Sequence, residues 1–177
     1  QVLAFVVPIS YLLFVLWNKS IVTATIRENL AYSNSVILPQ PFSPMHWKAV
    51  SALDNGYALS FVKILNDPVA SFVANIADYS NLQDKYTRLD QLKWYPYPLR
   101  PQLPDGDMVV TAWQHPKFQA FRDFSHFPAF LYVKNSDDGH CIWFTDLRYF
   151  EANTKAYFRY AMCLKKGDWH VVRGEYF

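Results

Sequence analysis

Residues 127–150, FPAFLYVKNSDDGHCIWFTDLRYF, decide the fold. Two aromatic and β-branched runs, FPAFLYVK and HCIWFTDLRYF, flank the turn-forming cluster Asn135-Ser136-Asp137-Asp138-Gly139, the pattern of an antiparallel hairpin. Asp146 and Arg148 stand two apart on the second strand, so they share a face with Ile142 and Phe144. A turn that pairs Lys134 with His140 puts Pro128 opposite Asp146 and His126 opposite Arg148. An acid, a guanidinium and an imidazole are thereby expected at one end of a sheet.

That constellation has two readings. Asp146 and Arg148 can bind phosphate or orient a reacting group, with His126 as a proton carrier. Alternatively, the pair closes the sheet end and bonds backbone groups of neighbouring loops, leaving His126 exposed. The second is preferred, because structural ion pairs imitate functional ones. An open pocket around the three side chains favours the first, whereas mutual and backbone bonding favours the second.

Beyond the hairpin, AYFRYAMCL and WHVVR surround Lys165-Lys166-Gly167-Asp168 and form another strand pair. Cys141 and Cys163, the two cysteines of the chain, fall on separate strands. They either pair or pack as two small apolar side chains, and packing is the default. Two cysteines make no disulfide framework, so the cysteine count by itself does not fix a redox compartment.

Upstream, Asp107 to Gln114 and Pro116 to Ser125 read as helices broken at His115-Pro116. WYPYPLRPQLP, with four prolines in eleven residues, reads as a stiff connector between two parts of one domain. Asp67-Pro68 reads as a helix start followed by Val69, Phe72, Val73 and Ile76 on one face. Leu82, Tyr86, Leu89 and Leu92 make a second helical stripe. Trp47 to Leu53 and Tyr57 to Leu65 flank Asp54-Asn55-Gly56, a hairpin signal. VILPQPFSPMHW, with Pro39, Pro41 and Pro44, is expected to be extended and free of ladder bonds. Trp47 at its end can stack on a ligand, although a tryptophan at a strand start is more often core. Five or six strands joined mainly by hairpins, with helices inserted, make an α+β domain with an antiparallel sheet.

Composition adds an N-terminal element to this fold. The 177 residues are 51% hydrophobic and 18% aromatic, with 18% charged against about 25% in an ordinary soluble domain. Such a chain is not disordered, and its net charge of +2 gives no argument for nucleic acid. The stretch QVLAFVVPISYLLFVLWN, residues 1–18, carries no charge. It lacks the basic flank and small-residue cleavage site of a signal peptide. It is short of the roughly 20 residues of a full span, so a buried core helix competes with a membrane helix. Apolar residues all round, followed by Trp17, Asn18 and Lys19, favour the membrane. The helix is expected to continue through IVTATIRENLAYSNS and stop at Asn34-Ser35. The division is then 1–35, a membrane or membrane-proximal helix, and 36–177, a soluble domain. A start on Gln1 is expected of a piece of a longer protein.

The chain has no Gly-rich phosphate loop, no Gly-x-Ser-x-Gly and no His-Glu-x-x-His. His46, His115, His126, His140 and His170 stand far apart, so no metal ligand set and no catalytic residue are assigned.

Three motifs occur in order: Pro-x-Pro-Phe-x-Pro-x-x-Trp at 39–47, Phe-Ser-x-Phe-Pro at 124–128 and Asp-Leu-Arg-Tyr at 146–149. With the apolar helix before them and a strand pair after, the succession resembles the C-terminal part of bacterial predicted membrane-bound metal-dependent hydrolases. The resemblance implies an inner-membrane parent whose N-terminal helix bundle, absent here, carries the residues thought to bind a divalent metal. The present chain would be an extramembrane accessory domain, inactive and free of cofactor by itself, beside a lipid-linked or phosphate-bearing substrate. Asp146, Arg148, His126 and Trp47 are its candidate substrate-binding residues. Membrane lipid is the expected partner and nucleic acid is not; homo-oligomerisation, the substrate and the side of the membrane are left open. The alternative is a non-catalytic, membrane-tethered binding or assembly module that docks a protein or lipid through aromatic surface.

Overall fold

Helix α1 (Val2–Arg27) changes character along its length. From Phe5 to Leu16 apolar side chains stand exposed around its circumference, Phe5, Leu13 and Leu16 each by more than 60%. Asn18, Val22 and Ile26, spaced by one turn, then become buried along one face. The Asn18 amide donates to the Pro44 carbonyl at 3.2 Å. The computed structural model describes residues 2–40, 43–64, 86–102, 104, 106–151 and 156–174. In it α1 stops earlier than Ser35: the Asn29 side chain accepts from the Ala31 N–H and starts a separate 3-10 turn over Leu30–Tyr32. An asparagine that bonds the backbone two residues on competes with helix continuation.

The chain is α+β, an apolar helix followed by largely antiparallel sheets. The described strands make two sheets where the pattern suggested one. The first has the order β1-β2-β3-β4, from Val36–Gln40, Ser43–Leu53, Gly56–Lys63 and Thr87–Arg88, with β5 (Tyr95–Pro98) also paired to β3. Its proline-rich strand is not free of ladder bonds: β1 runs antiparallel to β2 with Pro39 opposite Trp47. A proline is tolerated there because β1 is an edge strand, where a missing N–H removes no inner bond. Val22 and Ile26 pack with Ile37, Trp47, Ala49 and Val62.

Tyr86 to Leu92 are not helical. Thr87–Arg88 form a short strand parallel to β3 and Leu89–Gln91 a 3-10 turn. Leu89, Leu92 and Trp94 still reach the core of this first sheet, so the apolar spacing marked burial without marking a helix. The helix expected after Asp67-Pro68, and Leu82, lie outside the described residues. The connector is also partly strand, as β5.

The second sheet is antiparallel throughout, in the order β6-β7-β8-β9 from Pro128–Ser136, Gly139–Asp146, Arg159–Lys165 and Asp168–Arg173. Helices α2 (Gly106–Gln114) and α3 (Gln119–Phe124) supply Val109, Ala112 and Phe121, which pack on Phe130, Ile142, Phe144 and Met162. The break between them is held by Arg122, which donates to the carbonyls of Trp113 and His115. The β6–β7 turn pairs Asn135 with His140, one residue away from the expected Lys134. A bulge at Leu131, between Phe130 and Tyr132, restores the alignment, so Pro128 does face Asp146.

The chain divides into two compact units, residues 1–52 with 59–95, and residues 53–58 with 96–177. Within the second unit Gly56 adopts φ +122°, and a Cβ there would strike the Tyr97 carbonyl oxygen and lie 2.8 Å from the Leu99 nitrogen. Only glycine fits that turn.

Cys141 and Cys163 lie directly opposite on β7 and β8 and are joined as a disulfide, not merely packed. The bond closes a loop of 22 residues, for which the chain-entropy model gives roughly 3 kcal/mol. The double substitution Cys141→Ser/Cys163→Ser is expected to lower stability by about that amount, read as a fall in the urea midpoint in mild detergent. An unchanged midpoint would show that the bond does not restrain the unfolded chain.

Candidate functional site

Asp146 ends β7 with its carboxylate fully buried. One oxygen, Oδ1, accepts the Arg148 backbone N–H at 2.9 Å and so caps the 3-10 turn Leu147–Tyr149. The other, Oδ2, accepts the His126 backbone N–H at 2.9 Å. It also accepts from Arg148 Nε at 2.9 Å and lies 2.7 Å from Nη2. The same Nη2 donates to the Phe124 carbonyl at 2.9 Å. The aspartate therefore joins the end of β7 to the segment that leads from α3 into β6. Nearby, the Leu147 N–H donates to the Phe127 carbonyl at 2.9 Å.

Three of the four sequence candidates are brought together, but not as a proton-transfer set. His126 contributes its backbone N–H to the carboxylate, whereas its exposed ring contacts the Phe124 carbonyl through Nδ1 at 3.2 Å. The Arg148 guanidinium lies 5.0 Å from the Phe124 ring centre and 5.2 Å from that of Tyr149, within cation–π range. Trp47 belongs to the core of the first unit, 1% exposed, with its indole N–H bonded to the Pro44 carbonyl at 3.2 Å. It presents no face to a ligand. Among the described residues there is no group of three or more His, Cys, Asp or Glu side chains placed to hold a metal ion.

Tyr57, in the second unit, completes this corner. Its hydroxyl donates to the His126 carbonyl at 3.3 Å, and its ring meets Phe127 edge-on at 5.5 Å. Burial, and then the negative charge of Asp146, hold its hydroxyl above the ordinary tyrosine range.

Beside the ion pair is an aromatic surface that spacing alone did not reveal. Phe124 and Tyr149 stack at 6.1 Å and both contact Phe158, at 4.9 and 5.0 Å. Phe124, Tyr149 and Tyr157 are each about 40% exposed. Phe124 also borders a cavity of about 230 Å³ lined by Phe118, Phe121, Phe158, Tyr160 and Val171. Lys117 at its edge is occupied by Asp168 at 3.0 Å and the Trp169 carbonyl at 2.6 Å. The rings come from three separated segments, FRDF, DLRYF and AYF, which no local period connects.

The first unit holds a second feature missed in the sequence. His46 and Lys48 alternate with Trp47 and Ala49 on β2, and all four are buried. His46 bonds Ser43 through Nδ1 at 2.6 Å and meets Tyr86 edge-on at 4.6 Å, while Lys48 lies 5.8 Å from the Phe61 ring centre. Alternation of polar with apolar residues ordinarily leaves one strand face in water, so the burial of both faces here was not marked in the sequence.

In comparisons with known proteins, no family model, no curated protein and no solved structure matches the chain.

Asp146→Ala strips an acceptor from two backbone N–H groups and from the guanidinium, and is expected to cost about 3 kcal/mol. His126→Ala, which keeps the backbone donor, should stay within about 0.5 kcal/mol of the parent. Equal urea midpoints for the two variants would remove the structural role assigned to the carboxylate. Tyr57 gives a pH dependence of definite sign. Its raised folded-state value favours the fold below the unfolded ionisation near pH 10 and loses that contribution as pH rises through the folded value. Tyr57→Phe should therefore flatten the alkaline fall of Tm relative to the parent, and parallel profiles above roughly pH 10 would contradict this.

Proposed function

We propose that this chain is the membrane-tethered extramembrane part of a membrane-bound metal-dependent hydrolase, with an accessory and not a chemical role. The observation that supports the tether is the change along α1. Its Phe5–Trp17 portion is largely apolar and uncovered apart from the half-buried Val15, and full burial begins at Asn18. A core helix would be covered along its length, whereas α1 is long and apolar enough to cross a bilayer. Trp17 and Lys19 then fall at the interface, where an amphipathic ring and a cation are favoured. The hydrolase assignment rests on the order of the three motifs, with a divalent metal held by upstream residues of the parent.

The accessory role is supported by the accounting at Asp146, whose oxygens are committed to His126 and Arg148. A carboxylate so engaged is a poor base or ligand, because any new partner must displace a bond in a buried site. The exposed rings of Phe124, Tyr149 and Tyr157 beside Arg148 favour a second reading, an assembly module that binds protein or lipid through this surface.

Both readings need the tether. With Leu12 and Leu13, both exposed, replaced by Lys, the protein should move from the alkali-resistant membrane pellet to the soluble fraction, with its circular dichroism retained. Retention in the pellet would overturn the tether. The accessory role is checked on residues 1–177 by titration with zinc and manganese, expected to give no stoichiometric binding; one tightly held ion per molecule would overturn it.

A further inference from the structure

We propose that the second unit lies on the oxidising side of the membrane, where Cys141 and Cys163 are kept as a structural cystine; this takes the tether as its premise and assigns the side of the bilayer. The chain holds two cysteines in 177 residues. They arrive directly opposite each other on adjacent antiparallel strands, joined and excluded from solvent, with 1% and 0% exposure. Small apolar packing explains a buried cysteine singly. It does not require that both occupy facing positions from which their sulfurs can bond. Trp143 and Val172 pack around the pair. Reduction by a bulky oxidoreductase therefore needs β7 and β8 to separate first.

Formation of the bond balances through a disulfide oxidant of the general class R–S–S–R. One cysteine thiolate attacks a sulfur of the oxidant and expels one R–S⁻ as a mixed disulfide forms. The second thiolate then attacks the protein sulfur and expels the other R–S⁻. The two cysteines lose two electrons and two protons, and the oxidant leaves as two thiols. Such bonds persist in extracellular, periplasmic or lumenal spaces and are rare in a reducing cytosol.

The opposing signal is weak. Lys19 and Arg27 come after the apolar part of α1, and basic residues favour the cytosolic side. That rule compares two flanks, and here one flank carries two charges. Among the described residues α1 is the one helix fit to cross a membrane, so it alone assigns the residues downstream of it to a side.

The test uses the full-length protein in membranes of its own cells, quenched with acid before lysis. The protein is denatured and exposed to N-ethylmaleimide before and after reduction. The expected result is no adduct on Cys141 or Cys163 before reduction and one on each after it. In sealed right-side-out vesicles, a membrane-impermeant amine reagent should label the exposed Lys134, Lys165 and Lys166 without lysis. Two adducts before reduction, or lysine labelling only after lysis, overturn the assigned side while leaving a membrane-pelleted protein tethered. A soluble protein that still carries the cystine overturns the tether and supports the oxidising compartment.

Discussion

The buried Asp146 carboxylate is the constraint on which the second unit is organised. An ionised group removed from water costs several kcal/mol unless its lone pairs are occupied, and here they are filled from both sides of one sheet end. Two donors are backbone N–H groups, from His126 and Arg148, and the rest are guanidinium N–H groups. Backbone donors fix the chain path in a way that side-chain donors do not. The end of β7 and the start of β6, already paired at Asp146 and Pro128, are therefore held in register by these bonds as well as by the ladder. Arg148, 23% exposed at its side chain, keeps access to water and limits the desolvation cost of the pair.

The same economy describes how the acid and the guanidinium at this sheet end are engaged with each other and with main-chain groups, while the imidazole stays outside that network. The identity of residue 126 contributes nothing to the carboxylate, which takes only that residue's main-chain N–H. Any residue except proline supplies such a donor. Arg148 is shared between Asp146, the Phe124 carbonyl and two aromatic rings. Its surface consequence is an aromatic rim around a cation, formed by Phe124, Tyr149 and Phe158.

Much of this corner was legible from period-two alternation and turn chemistry. The facing of Pro128 and Asp146 was anticipated through a register that is wrong at the turn and right at the far end, because the Leu131 bulge absorbs one residue. A bulge has no residue signature in LYV, so the agreement came from two offsets that cancel. The apolar set Tyr86, Leu89 and Leu92 misled for another reason. Spacing reports which residues are buried, and a short strand with a 3-10 turn can bury residues three apart as well as a helix does. Pro39 misled in the opposite direction: an edge position, invisible before the sheet order is known, lets a proline sit in a ladder. The disulfide was open in the sequence for the same reason, since facing positions on β7 and β8 are set only by register.

These restraints converge on β7. Its start is tied to β8 through the cystine, its middle packs Ile142 and Phe144 beneath α2 and α3, and its end is held by Asp146. A strand restrained at three heights has little freedom to rearrange around a ligand, because packed cores shift between discrete arrangements and do not deform continuously. Recognition is better served where side chains are partly uncovered and less constrained. In the second unit that description fits the rim of Phe124, Tyr149 and Tyr157 beside Arg148. The charge deficit of the chain has its origin in the same division: rings fill the sheet and its rim, and the part of α1 before Asn18 is uncharged and largely uncovered. The carboxylate that looked most like chemistry is the one that, with Arg148, ties together the segments that carry Phe124 and Tyr149.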